Sequence, residues 1–284
     1  MTGETKIQVP CEAEPACGSR GCTRVRRSVQ LQQNVEGSRQ LGNDLSPKTL
    51  VLLPGLDGTG NLFADFVSAL PPTLSTRIVR YPRDRFLNYT ELLSCVVDVI
   101  PTTDSFVVLA ESFSTPLAVK LAATRPTNLA GLVICAGFIT NPVSSWLLRM
   151  KALVRPSLFR VPPPGFVIDH FLIGANAPHE LRDAVRHTLR CVSPEVMALR
   201  VRAVMACDAR EQIVQVQVPT LYLQAKHDRL VKERCFEEIQ RLKQDTILAS
   251  IPAPHFVLQR EPHKAVDVIV HFLQRLSREQ PTQV

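Results

Sequence analysis

The chain has 284 residues, 45% of them hydrophobic, with 22 prolines against 12 glycines and a net charge of +7. That length can bury a large core and suits one α/β domain with an insertion, or two small domains. No window approaches the roughly 18 consecutive apolar residues that cross a bilayer, and the start of the chain lacks the apolar core of a secretory signal, so no integral membrane segment and a soluble, cytoplasmic protein are expected.

The basic balance does not point to nucleic acid. Lys and Arg alternate with acids along the whole chain, no basic run exceeds Arg24-Val25-Arg26-Arg27, and aromatics are not interleaved with them, which is the pattern of a solvated, mildly basic surface. Cys95, Cys135 and Cys207 sit inside apolar segments and Cys191 and Cys235 in helical patterns, so free thiols are expected. Cys11, Cys17 and Cys22 cluster loosely, without the close ligand pairs or neighbouring histidine of a zinc site.

Residues 1–46 show no sustained periodicity and are rich in Gly, Gln, Ser and charge, so they read as a poorly ordered N-terminal extension. Order begins at Thr49. From there apolar runs bounded by turn residues alternate with amphipathic stretches, and strands are predicted over 49–53, 77–79, 106–110, 129–136, 220–224 and 246–251. Such alternation predicts an α/β fold, a mostly parallel central sheet with helices on both faces.

The first predicted strand runs into Pro54-Gly55-Leu56-Asp57-Gly58-Thr59-Gly60, where the glycines allow a tight turn. An anion-cradling loop is the competing interpretation, but the Lys-Ser/Thr ending of such loops is missing.

The third predicted strand stops at a serine flanked by small residues, Ala110-Glu111-Ser112-Phe113-Ser114, and a helical pattern follows through Leu117, Ala118, Leu121 and Ala122. This reads as a nucleophile elbow, a sharp strand-to-helix turn that lifts one side chain clear of the sheet and tolerates only small groups two positions to either side. Alone, the pattern is weak evidence, because a buried strand followed by a helix whose N-cap is serine accounts for it better. Pro116 is compatible with the first turn of the helix, where the missing N–H has no partner to lose.

Over 141–216 the alternation gives way to a turn, Pro162-Pro163-Pro164-Gly165, and helical segments. One carries Leu181, Ala184, Val185, Thr188 and Leu189 on a face, and another opens with Ser193 as N-cap and Pro194 at its first position. This stretch is expected to be a helical insertion over the C-terminal edge of the sheet, between a first core part at 47–140 and a second at 217–284. Phe166, Val167, Ile168, Phe171 and Leu172 are candidates for an acyl pocket, although ordinary packing within the insertion accounts for them as well.

A serine nucleophile needs a base, and the base needs a group to orient it and to stabilise its positive charge. The buried-strand run Leu221-Tyr222-Leu223-Gln224-Ala225 leads to Asp228, and the last predicted strand leads through Pro252-Ala253-Pro254 to His255. Ser112, Asp228 and His255 then follow in the chain order Ser, Asp, His. His227 adjoins Asp228 on one loop, His263 and His271 fall in the C-terminal helix, and His170, His179 and His187 belong to the insertion, so surface placement is expected for all six. Asp208 lacks a preceding strand. Ala265, Val268, Ile269, Phe272, Leu273 and Leu276 recur at helical spacing and form a core stripe.

With PGLDGTG at 54–60 and an elbow similar to GESFSG, the chain resembles the α/β-hydrolase superfamily, particularly its compact bacterial members, over roughly residues 48 to 276. Ala110 and Ser114 stand where glycines are usual. The resemblance implies a Ser112-Asp228-His255 triad beneath a helical cap, with no metal or organic cofactor. A tetrahedral intermediate also needs N–H donors, and these are assigned to the main chain of Leu56 and Phe113. The expected activity is hydrolysis of carboxylic esters by a serine esterase acting on a small-molecule acyl substrate, with no nucleic-acid partner and a monomer or homodimer as the assembly. Thioester hydrolysis, acyl transfer and perhydrolysis reuse the same triad, and a silent binding protein of this fold is the alternative from another class.

Overall fold

The computed structural model describes residues 6–8, 47–142 and 153–279. The expected N-terminal extension therefore lies outside the described residues except at 6–8, and Cys11, Cys17 and Cys22 lie outside them too.

Seven strands form one sheet: β1 (Lys6–Gln8), β2 (Thr49–Leu53), β3 (Ser75–Ile78), β4 (Phe106–Glu111), β5 (Leu129–Cys135), β6 (Thr220–Ala225) and β7 (Ile247–Ile251). Their order is β1-β7-β6-β5-β4-β2-β3, with β2 to β7 parallel and β1 antiparallel to β7. The six expected strands are those six parallel ones. β1 is a correction, because it falls inside the stretch expected to lack order. It joins by main-chain pairing of Ile7 with Ala249, and three residues carry no periodicity from which to read it.

Both faces of the sheet are buried along β2, β4, β5, β6 and β7, which is why those strands read as nearly continuous apolar runs, whereas the edge strand β3 alternates exposed and half-buried residues. Leu50 and Leu52 point to one face with Val107, Leu109, Val133, Leu221 and Leu223. Val51 and Leu53 point to the other with Val108, Ala110, Leu132, Ile134 and Tyr222. Between β2 and β5 the chain forms α1 (Ala64–Ala69), α2 (Leu92–Val97) and α3 (Thr115–Ala123). After β5 come α4 (Gly165–Ile168), which runs on into a π-helical turn over Asp169–Ile173, then α5 (His179–Arg190), α6 (Pro194–Met205) and α7 (Arg210–Ile213). The second half of the sheet brings α8 (Glu233–Leu242), α9 (Val257–Arg260) and α10 (Pro262–Glu279).

Phe66 of α1 and Ile269, Phe272 and Leu273 of α10 cover the first face. Leu92 of α2, Leu117 and Leu121 of α3 and Ile239 of α8 cover the second. The helices between β5 and β6 keep a small apolar cluster of their own, Ile168, Ile173, Ala177 and Val185, against which Leu62 and Phe256 pack. Ser193 accepts the Val196 N–H at 3.2 Å and so caps α6.

The chain leaves β2 for the edge strand β3 and returns on the far side of β2 as β4, so the order reverses between β2 and β4. At such a switch point the loops leaving the C-terminal strand ends diverge and open a crevice. Leu53 is paired with Ala110, which places the loop after β2 beside the turn after β4.

Candidate active site

Ser112 occupies the reversal between β4 and α3 with φ 47°. An L-residue pays about 1–2 kcal/mol for the left-handed region, and here the tight strand-to-helix turn imposes it. Ala110 and Ser114 are both fully buried, so larger groups at either position would have to displace packed neighbours. The serine standing in place of the usual glycine has partners of its own. Its Oγ donates to the Pro54 carbonyl, and because that uses its only proton, the Tyr81 hydroxyl 2.6 Å away must be the donor to Ser114. Ser114 thus ties the elbow to the loop after β2.

The structure brings Ser112, His255 and Asp228 together from the ends of β4, β7 and β6. His255 Nε2 lies 3.0 Å from Ser112 Oγ, and His255 Nδ1 lies 2.6 Å from Asp228 Oδ2. The other Asp228 oxygen accepts the N–H groups of Leu230 and Val231 at 2.7 and 2.9 Å, which anchors the carboxylate in the turn following β6. The side chains of His255 and Asp228 are only 4% and 3% exposed. Burial by itself pushes the imidazole down, but the Asp228 charge and hydrogen bond, with a further contribution from Glu111, carry it above its ordinary value. With the Nδ1 proton committed to Asp228, Nε2 presents a lone pair toward the serine hydroxyl.

The other histidines stay apart. His170, His179, His187, His227, His263 and His271 are all exposed, and His170 contacts Arg229 instead. Asp208 pairs with Arg210.

Leu56 lies in the loop after β2 and Phe113 in the turn after the neighbouring strand β4. Phe113 follows Ser112 and lies in the short 3-10 turn Ser112–Ser114, where early N–H groups have no intrahelical acceptor. Leu56 belongs to the turn closed by the Gly58 N–H on the Gly55 carbonyl at 3.0 Å. Gly58 has φ +70°, and a Cβ there would come within 2.6 Å of Arg200 Nη1 and 2.8 Å of the Tyr81 ring.

Arg200 escapes the sequence reading. It projects from α6, is 2% exposed, and donates through Nη1 to the Leu56 and Asp57 carbonyls at 2.9 and 2.6 Å and through Nη2 to the Pro82 carbonyl at 2.8 Å. Its guanidinium also lies 5.7 Å from the Tyr81 ring centre and 5.9 Å from that of Phe113. The available signal was its spacing, because Arg200 falls on the helix face of buried Val196 and Met197, where a charge is out of place.

Of the candidate acyl-pocket residues, Ile168 lies in the small inserted cluster and Leu172 packs against it. Phe166 and Phe171 are instead 73% and 39% exposed. Cys95, Cys135, Cys191, Cys207 and Cys235 are free thiols. Among the described residues no helix is long and apolar enough to cross a membrane.

No protein-family model and no curated protein matches the sequence. Solved structures do match in fold. A hydrolase from Oleispira antarctica superposes with a TM-score of 0.66 at 14% identity, covering 80% of this chain and 91% of that one. A thermophilic esterase from Thermogutta terrifontis gives 0.66 at 17% identity over 81% and 90%. A bromoperoxidase from Bacillus anthracis gives 0.65 at 15% identity over 80% and 92%. At such identities the likeness is one of architecture, and activity has to be argued from the site.

Proposed function

We propose that this chain, which has the α/β-hydrolase fold, is a serine esterase whose nucleophile is Ser112. The observation that carries this reading is the unbroken relay from Asp228 Oδ2 through His255 to Ser112 Oγ, with contacts of 2.6 and 3.0 Å in a buried setting. His255 takes the hydroxyl proton at Nε2 while Ser112 Oγ bonds to the acyl carbon, and Asp228 stabilises the imidazolium. The oxyanion rests on the N–H groups of Leu56 and Phe113. His255 then returns the proton to the departing alkoxide, leaving an acyl-serine. Water attacks that ester with His255 again as base, releasing the acid and restoring the hydroxyl.

The helices between β5 and β6 serve as the cap. Leu172 accepts the N–H of Phe256, next to His255, at 3.0 Å, so the insertion borders the crevice directly. The five cysteines among the described residues are free thiols, which accords with a reducing compartment such as the cytoplasm.

The test is turnover of p-nitrophenyl esters of increasing chain length by the wild type and by Ser112→Ala. Activity on some member, lost in the variant, supports the reading. Undiminished activity in the variant removes Ser112 from the mechanism. A wild type inert toward every ester and thioester leaves a binding protein, and product formed preferentially with an added alcohol identifies an acyltransferase.

A further inference from the structure

The relay leaves Glu111 without a role, although it is the residue before the nucleophile and only 4% exposed. Its Oε1 accepts the Gln259 side-chain N–H at 3.0 Å. Gln259 lies in α9, four residues beyond His255. Glu111 Oε2 lies against Gly55, where a Cβ would stand 3.5 Å away. One carboxyl therefore touches the elbow, the loop that carries Leu56 and the segment that carries His255.

We propose that Glu111 is a positioning residue, a buried brace that holds these three segments in register and whose charge acts on His255. The proposal rests on reading Ser112, His255 and Asp228 as an acyl-transfer relay.

Two further observations bear on its protonation. Gln259 is 6% exposed, and its amide oxygen has no partner among the described residues, an acceptor lacking a donor. A protonated carboxyl would bring a donor into that pocket. Burial pushes the Glu111 carboxyl up to about 7, against the pull of the Gln259 hydrogen bond. Asp57, from the loop after β2, pushes the same way, while His255 and the Gly55 backbone oppose it. Cys135, at the end of β5, also faces Glu111, and burial keeps its thiol protonated. Once ionised, Glu111 stabilises the imidazolium beside Asp228 and so makes His255 the stronger base.

The full chain is compared with Glu111→Gln, which keeps the shape and removes the charge, and with Glu111→Ala, which removes the brace. On a short p-nitrophenyl ester, Glu111→Gln keeps kcat within about threefold while the acid limb of kcat/KM moves to lower pH, because His255 has lost a neighbouring negative charge. Glu111→Ala lowers kcat at least about tenfold with little change in KM, as loops out of register do.

Denaturant unfolding supplies a readout that needs no substrate. A carboxyl raised on folding contributes stability that is present below its unfolded value of 4.5 and lost as pH rises through about 7, so the wild type loses stability relative to Glu111→Gln across that window. Coincident acid limbs, or a stability difference that is flat in pH, overturn the proposal. If the wild type turns over no ester, the esterase reading fails, and the unfolding comparison alone decides whether Glu111 holds its proton.

Discussion

Arg200 Nη1 donates to the main-chain carbonyl of Asp57 at 2.6 Å, and through this contact an inserted helix grips the loop that faces Ser112. A lysine reaches with a single ammonium and cannot span the Leu56, Asp57 and Pro82 carbonyls as the planar guanidinium does. Arg200→Lys should lower kcat about tenfold with a smaller change in KM, because the loop loses its preorganised position. Steady-state kinetics on the best p-nitrophenyl ester would check this, and an unchanged kcat would show that the loop holds its shape without the clamp.

Removing the Ser112 hydroxyl should reduce kcat by about 10⁴-fold or more. Alanine and glycine both remove it, but only glycine relieves the backbone at φ 47°. Ser112→Gly should therefore be more stable than Ser112→Ala by about 1 kcal/mol, measured by chemical denaturation. Equal stabilities would mean that the elbow stores no strain at this residue.

Asp228→Asn should leave the fold intact and cut kcat by about 10⁴-fold, because the amide favours the wrong imidazole tautomer. In the wild type the base must be neutral, and His255 is raised above 6.5, so kcat/KM should fall as pH drops through a midpoint above that value. Removing the Asp228 charge takes away the principal raising influence, and residual activity in Asp228→Asn should show its acid limb at lower pH. A pH-rate profile with the same midpoint in both proteins would argue against His255 as the base.

Ser114→Ala should cost about 1–3 kcal/mol, since the buried Tyr81 hydroxyl loses its acceptor and the Pro54 carbonyl its donor. Ser114→Gly should cost a similar amount, even though it restores the residue usual in such elbows. Thermal unfolding of the two variants would decide whether the hydroxyl or merely the small size matters at this position.

Much of the architecture is legible along the chain because its signals are local. Leu50 to Leu53 and Phe106 to Ala110 are buried on both sheet faces, so each reads as an unbroken apolar run whichever way its side chains point. The small residues around Ser112 and the apolar runs leading to Asp228 and His255 mark segment ends in the same local way, and Ser193 caps α6 from within its own turn.

Other features exist only in three dimensions. Lys6–Gln8 becomes a strand through pairing with β7, a partner some 240 residues away that its own composition does not announce. Arg200 meets Asp57 across 143 positions and Glu111 meets Gln259 across 148. A buried arginine and a buried glutamate look like ordinary surface charges in a linear string, because burial and partnership are properties of the packed chain. The distance from His255 to Ser112 belongs to the same class. Residue order can nominate the pair, but only the convergence of β4 and β7 at one end of the sheet brings an imidazole within hydrogen-bond reach of an alcohol.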